Sequence, residues 1–140
     1  MASRPAMALT SVTIGAPAPR DLAAFYSTLL DWPITTSEFA GPGRPPEDGW
    51  AQIRPPAGVI GMTLSFEYEA EFTRPVWPAV EGRQNSTQHL DIGVADLEES
   101  VRWAIAAGAT LAEFQPQPDV RVMIDPTGHP FCLFEDESVR

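Results

Sequence analysis

Ser11-Val12-Thr13-Ile14-Gly15 is echoed 78 residues downstream, at positions 89 to 93, by His89-Leu90-Asp91-Ile92-Gly93. Ile14 falls on Ile92, Gly15 on Gly93 and, further along the same offset, Phe25 on Trp103. Each copy reads as a short strand, a turn marked by Pro or Asp, and an amphipathic helix. Two half-chain copies of one strand-helix unit predict a domain made by pairing equivalent modules, with the functional surface enclosed between them.

Outward from the first copy, residues 8–15 form a strand that Pro17 and Pro19 close. Asp21 stands where it caps or precedes a helix running to about Leu30, with Leu22, Phe25, Tyr26, Leu29 and Leu30 on one stripe. Strands over 32–39, 50–54 and 60–68 follow, the first two separated by the loop Gly41-Pro42-Gly43-Arg44-Pro45-Pro46. In the second copy Asp96 is an N-cap, Glu98 and Glu99 occupy the first helical turn, and Gly108 ends the helix. Strands over 111–114, 120–124 and 131–134 complete it, with Asp125-Pro126-Thr127-Gly128 as the turn between the last two. The expected organisation is an N-terminal tail over 1–7, a single domain over 8–136 and a C-terminal tail over 137–140. Module one covers about 8–69, a connector rich in Pro, Gly and polar residues 70–86, and module two 87–136. The fold class is α+β, two β-α-β-β-β modules around one central cleft.

Composition narrows the function. A chain of 140 residues buries roughly two-thirds of its unfolded surface, enough for one core. No apolar run approaches the roughly 20 residues of a membrane span, and residues 1–7 lack the apolar centre of a secretory signal. The single cysteine, Cys132, has no internal disulfide partner, so the expected compartment is the reducing cytoplasm. A net charge of −10 argues against nucleic acid. There is no lysine, which excludes Schiff-base chemistry and a P-loop lysine. The expected partner is a small molecule.

Several stretches carry a family resemblance: Ala24-Phe25-Tyr26 with Leu29-Leu30, Trp77-Pro78, Gln88-His89-Leu90-Asp91, Gly108-Ala109, and the closing run Asp125-Pro126-Thr127-Gly128-His129-Pro130-Phe131-Cys132-Leu133. Over about residues 8–135 the chain resembles the vicinal oxygen chelate superfamily, the glyoxalase/bleomycin-resistance fold, and within it the bacterial glyoxalase-like proteins. The resemblance implies that each module's sheet curves into half a barrel and that the halves meet around a cleft. It also implies homodimerisation, and one divalent ion held by inward side chains from the first and fourth strands of each module. Carried onto this chain, those positions are Ser11, about Glu67, His89 and Cys132. The family usually has His or Gln at the first and Glu at the last. Ser11 is a poor ligand, and a Cys132 thiolate suits zinc rather than oxygen-rich magnesium or manganese sites. The expectation is no metal, or a weakly bound divalent ion on His89 and Glu67.

Each candidate has a plain structural reading beside the functional one. His89 is a ligand or general base, or it hydrogen-bonds Asp91. Glu67 lines the cleft as acid or orienting group, whereas Glu69 and Glu71, alternating with it, are assigned to solvent. Cys132 is a ligand or a small buried hydrophobe, and His129 a surface turn residue. Ser11 and Thr13 offer hydroxyls to a ligand, Trp50 and Trp77 cover the cleft from loops, and Trp32 and Trp103 belong to the core. The favoured function is a glyoxalase-like small-molecule binding domain without a tightly held metal. The alternatives are a divalent-metal-dependent lyase, isomerase or dioxygenase, a drug-sequestering resistance-type protein, and a metal-free enzyme with His89 as base and Glu67 as acid.

Overall fold

Alternation of apolar and polar residues over Val12-Thr13-Ile14 and Leu64-Ser65-Phe66 makes strands that are apolar on one face only, and such strands need a helix to cover them. A computed structural model describes residues 2–139; Met1 and Arg140, the outermost residues of the two tails, lie outside the described residues. Module one runs β1 (Ser11–Ala16), α1 (Pro19–Leu30), β2 (Ile34–Glu38), β3 (Trp50–Ile53) and β4 (Thr63–Tyr68). Module two repeats the order as β5 (Leu90–Val94), α2 (Leu97–Ala107), β6 (Thr110–Leu111), β7 (Val120–Ile124) and β8 (Pro130–Glu135). The two sheets have the same topology, β1-β4-β3-β2 and β5-β8-β7-β6, with the first and last strand of each module parallel and the rest antiparallel. This is the α+β pair of β-α-β-β-β modules expected from the repeat. No helix among the described residues is long and apolar enough to cross a membrane.

Registers fix which side chains share a face. Val12 opposes Leu64, Ile14 opposes Phe66, and Ala51 and Ile53 of β3 complete an apolar layer beneath Leu22, Phe25 and Tyr26 of α1. In module two Leu90 opposes Phe131 and Ile92 opposes Leu133, and Met123 lies beside Phe131. The two layers form one core because α1 reaches across. Phe25 and Tyr26 set their rings 6.1 and 6.0 Å from that of Phe131 on β8, and Tyr26 stacks on Phe66 at 5.7 Å.

Helix ends follow local chemistry. Asp96 caps α2, its Oδ1 accepting from the Glu99 N–H at 2.8 Å, and Gly108 closes it at φ 123°. Helix α1 starts differently from the sequence expectation. Its N-cap is Ala18, which offers no side-chain acceptor, while Pro19 presets the first turn and Asp21 lies inside it. Strand β6 is two residues long rather than four, because Gln115 interrupts the ladder. Its amide nitrogen donates to Ala112 O and Val122 O, both at 2.9 Å, and its oxygen accepts from Val122 N at 2.8 Å. Trp103, expected in the core, is 53% exposed and ties α2 to the end of α1 by donating to Leu29 O at 3.0 Å.

Candidate functional site

The sheet faces turned away from the helices carry the polar side chains. In module one Thr13 opposes Ser65, and Ser65 in turn opposes Gln52, whose amide donates to the Ser65 hydroxyl at 2.9 Å. In module two Asp91 opposes Cys132. The 78-residue offset therefore equates Ser11 with His89 and Thr13 with Asp91, and the strand registers equate Ser65 with Cys132. This corrects the expected ligand set. Glu67 lies opposite Gly15 and Trp50, four positions along the sheet from the Ser11–Thr63 pair. At strand rise that is about 13 Å, too far for Ser11 and Glu67 to share an ion. Glu67 is exposed there, and Ser65, which is nearly buried, holds the fourth-strand position.

Among the described residues one group of three His, Cys, Asp or Glu side chains brings its donor atoms together: His89, Asp91 and Cys132, all within 4.8 Å of one another. His89 Nε2 is 3.2 Å from Asp91 Oδ1, and the His89 side chain is 48% exposed. Cys132 is half-buried, and burial first, then the Asp91 charge, raises its thiol above the ordinary range. It is thus a protonated thiol and a weak nucleophile near neutral pH. Two serine hydroxyls, an imidazole and a thiol do not fit a hard, oxygen-liganded ion such as magnesium or manganese. The His89, Asp91 and Cys132 set does fit a borderline ion such as zinc, with three protein donors.

A cavity of about 810 Å³ lies beside this face, walled by β1, by residues 69–75 after β4, by residues 84–88 of the connector, and by the start of module two. Its neutral hydrogen-bonding groups come from Thr13, Thr73 and the run Gln84-Asn85-Ser86-Thr87-Gln88. Its titratable side chains include Glu69, Glu71, His89 and His129, and among the described residues no arginine lines it. Of the expected site residues Thr13 and His89 are on its wall, while Ser11, Glu67 and Cys132 are not. Glu69 and Glu71, expected in solvent, are exposed and also stand on the wall. The tryptophans do not cover it. Trp50 donates its indole N–H to Glu38 at 2.5 Å, bridging β3 to β2. Trp77 stacks on Phe114 at 5.8 Å over a separate hollow shared with Leu111 and Ile124.

His129 and Asp125 form the feature the sequence reading missed. Asp125 is 1% exposed. Its Oδ1 accepts the backbone N–H groups of Thr127, Gly128 and His129 at 2.9, 2.9 and 3.0 Å. Its Oδ2 accepts the Tyr26 hydroxyl at 2.8 Å and lies 3.0 Å from His129 Nδ1. Burial, and next the Asp125 charge, hold the Tyr26 phenol well above the ordinary range, so it stays a donor. The turn Asp125-Pro126-Thr127-Gly128 was readable, with Gly128 at φ 107° as such a turn requires. Its link to Tyr26 was not, because the 99-residue separation closes only when α1 lies across β8.

Comparison with known proteins agrees with this architecture. The glyoxalase-like domain family matches residues 11–134. No curated protein matches the sequence. Among solved structures, a glyoxalase family protein from Enterococcus faecalis is 19% identical with a TM-score of 0.64, covering 91% of this chain and 97% of its own. A glyoxalase/bleomycin resistance protein/dioxygenase family enzyme from Burkholderia phytofirmans is 17% identical with a TM-score of 0.60, covering 90% and 96%. The fosfomycin resistance protein FosX from Listeria monocytogenes, in complex with Mn(II) and dihydroxypropylphosphonic acid, is 12% identical with a TM-score of 0.66, covering 91% and 90%. At these identities the structures speak for the fold. With two modules of the same sheet topology and a family match over nearly its whole length, this chain belongs to the glyoxalase-like domain family of the vicinal oxygen chelate superfamily.

Proposed function

We propose that this chain binds a small, neutral or cationic organic molecule, rich in hydrogen-bonding groups, in the cavity between its modules, without a tightly held hard metal. The lining carries this reading: a row of hydroxyls and amides, the carboxylates Glu69 and Glu71, the imidazoles His89 and His129, and, among the described residues, no arginine. The volume of about 810 Å³ is in the range of small-ligand sites. FosX is complexed with Mn(II) and a phosphonic acid. An anion of that kind is held best by arginine, which the wall lacks among the described residues, so the ligand class is read from the wall and not from the relative.

The experiment is thermal shift against three panels: sugars and polyols, primary and quaternary amines, and phosphonates. A ligand at 100 times its Kd adds about 2.7 kcal/mol, a rise of roughly 2–8 °C. The expected result is a shift from the first or second panel that disappears in Thr13→Trp, a bulky side chain that intrudes into the cavity. A shift from phosphonates alone, or none at all, would end the reading.

One observation favours a second reading, a metal-assisted lyase, isomerase or dioxygenase: the donor atoms of His89, Asp91 and Cys132 lie within 4.8 Å of one another. Those residues would hold a zinc-like ion, which when bound supplies Lewis-acid polarisation of a ligand oxygen. Near-stoichiometric zinc or cobalt in protein purified without chelator, lost in His89→Ala, would favour it. We further propose that the chain works in the cytoplasm as a homodimer, which would cover the outer strands β2 and β6 with their exposed Ile34 and Leu111. Sedimentation giving 15.2 kDa alone would rule the dimer out.

A further inference from the structure

We propose that His129 is the proton acceptor of this cavity: Asp125 holds the imidazole proton on Nδ1, and Nε2 faces the ligand. There it takes a hydrogen bond, and then the proton, from a ligand hydroxyl or ammonium group. The proposal deepens the cavity-binding reading above and rests on it.

The argument begins with Asp125. Both oxygens of this buried carboxylate are anchored, Oδ1 by three backbone N–H groups and Oδ2 by the Tyr26 hydroxyl, so the group cannot swing. A carboxylate in that position only accepts, and His129 Nδ1 lies 3.0 Å from Oδ2 and 3.2 Å from Oδ1. A neutral imidazole has one donor and one acceptor nitrogen, so the proton is on Nδ1 and the lone pair on Nε2. Nε2 makes no hydrogen bond to a described residue and is not among the buried unpartnered atoms, so it is open. The His129 side chain is 21% exposed and on the cavity wall, with the Phe72 ring 5.7 Å away. Arg74 braces the same turn, its side chain against Gly128 and its guanidinium donating to Pro126 O at 3.0 Å. His89, also on the wall, is more exposed and has Nε2 against the exposed Asp91.

In the transfer the ligand's O–H or N–H bond breaks and its electron pair stays on the ligand heteroatom. A new N–H bond forms at Nε2, and the resulting imidazolium faces the Asp125 carboxylate. Asp125 and Tyr26 act through His129 and are positioning residues.

With only two histidines in the chain, ring ¹⁵N–¹H spectra of the labelled full-length protein test this, assigned with His89→Gln. The expected form of His129 at pH 8 is the Nδ1–H tautomer, kept in Tyr26→Phe and converted in part to Nε2–H in Asp125→Asn. Phenol should move the His129 Nε2 resonance, and anisole, similar in shape but without the donor, should not. Diethyl pyrocarbonate should modify His129 in the parent protein and do so about tenfold more slowly in Asp125→Asn, the kinetic equivalent of one lost hydrogen bond. If Asp125→Asn does not fold, the tautomer in the parent and in Tyr26→Phe decides. An Nε2–H tautomer, equal response to phenol and anisole or response to neither, or modification of His89 with His129 untouched would each overturn the proposal. A panel shift lost in Thr13→Trp alongside the wrong tautomer would sink only this proposal. The right tautomer without any panel shift would sink the cavity reading instead.

Discussion

At the scale of the residue, Asp125 concentrates more of this molecule's polar chemistry than any candidate picked from the sequence. Its carboxylate satisfies three backbone N–H groups, a buried phenol and an imidazole from one nearly inaccessible position. Removing it strands several donors at once, each costing about 1–3 kcal/mol when left unpaired. Asp125→Ala should therefore lower unfolding stability by about 3–5 kcal/mol, whereas His129→Gln, which leaves the turn intact, should cost about 1 kcal/mol. Urea unfolding checks both, and a cost below 1 kcal/mol for Asp125→Ala would mean the turn holds without its acceptor. Alkaline pH gives a second residue-level prediction. Burial raises Cys132 and Tyr26 above ordinary values of 9.0 and 10.0, so the folded chain holds these protons more tightly than the unfolded chain does. Their contribution is complete below those values and is lost as the pH rises through the folded-state pKa. The urea midpoint should fall above about pH 9 in the parent protein, and Tyr26→Phe should flatten the later part of that fall. The same raised thiol should react with iodoacetamide more slowly than free cysteine at pH 7.5.

At the scale of the element, the two helices occupy equivalent places in their modules but start differently. Helix α2 has a side-chain cap in Asp96, and α1 starts at Ala18 with none. Asp96→Ala should cost about 1 kcal/mol and Ala18→Ser should add about 0.5–1 kcal/mol, read as opposite shifts in the urea midpoint. An unchanged midpoint in Ala18→Ser would mean that Pro19 already supplies what a cap would. Most of this level was legible from the sequence. The repeat of Ser11–Gly15 in His89–Gly93 announced paired modules, Gly108 and Asp96 marked the ends of α2, and alternation assigned the apolar faces. Register was not legible. Alternation puts Ser65 and Glu67 on one face but does not say which of them lies opposite Thr13, and β4 begins at Thr63, so Ser65 takes that place. The shortened β6 was hidden for a related reason, since Gln115 replaces ladder bonds with side-chain bonds that no propensity records. The site suffered most from this, because Thr13 is set by β1 and His89 directly precedes β5, whereas Glu69, Glu71 and the 84–88 run reach the cavity from segments without a period.

At the scale of the whole molecule, charge and cavity point the same way. The chain carries a net −10, and among the described residues the cavity wall presents Glu69 and Glu71 without an arginine to offset them. Net charge alone speaks to approach rather than to the site, but here the local wall has the sign of the whole, so a cation is drawn toward the cavity and favoured once inside. One carboxylate at about 4 Å across water is worth about 1 kcal/mol, close to fivefold in affinity, and the open mouth keeps the effect near that watery limit. Choline and its neutral carbon isostere have the same shape and the same hydroxyl, so their difference isolates this term. Choline should bind about fivefold more tightly at low salt. The gap should close toward 1 M salt, where the screening length falls to about 3 Å. Glu69→Gln and Glu71→Gln should each narrow it while leaving the isostere's affinity unchanged. Titration calorimetry of the four combinations of ligand and salt reads the term directly, and an isostere that binds as well as choline at low salt would show that the carboxylates face away from whatever the cavity holds.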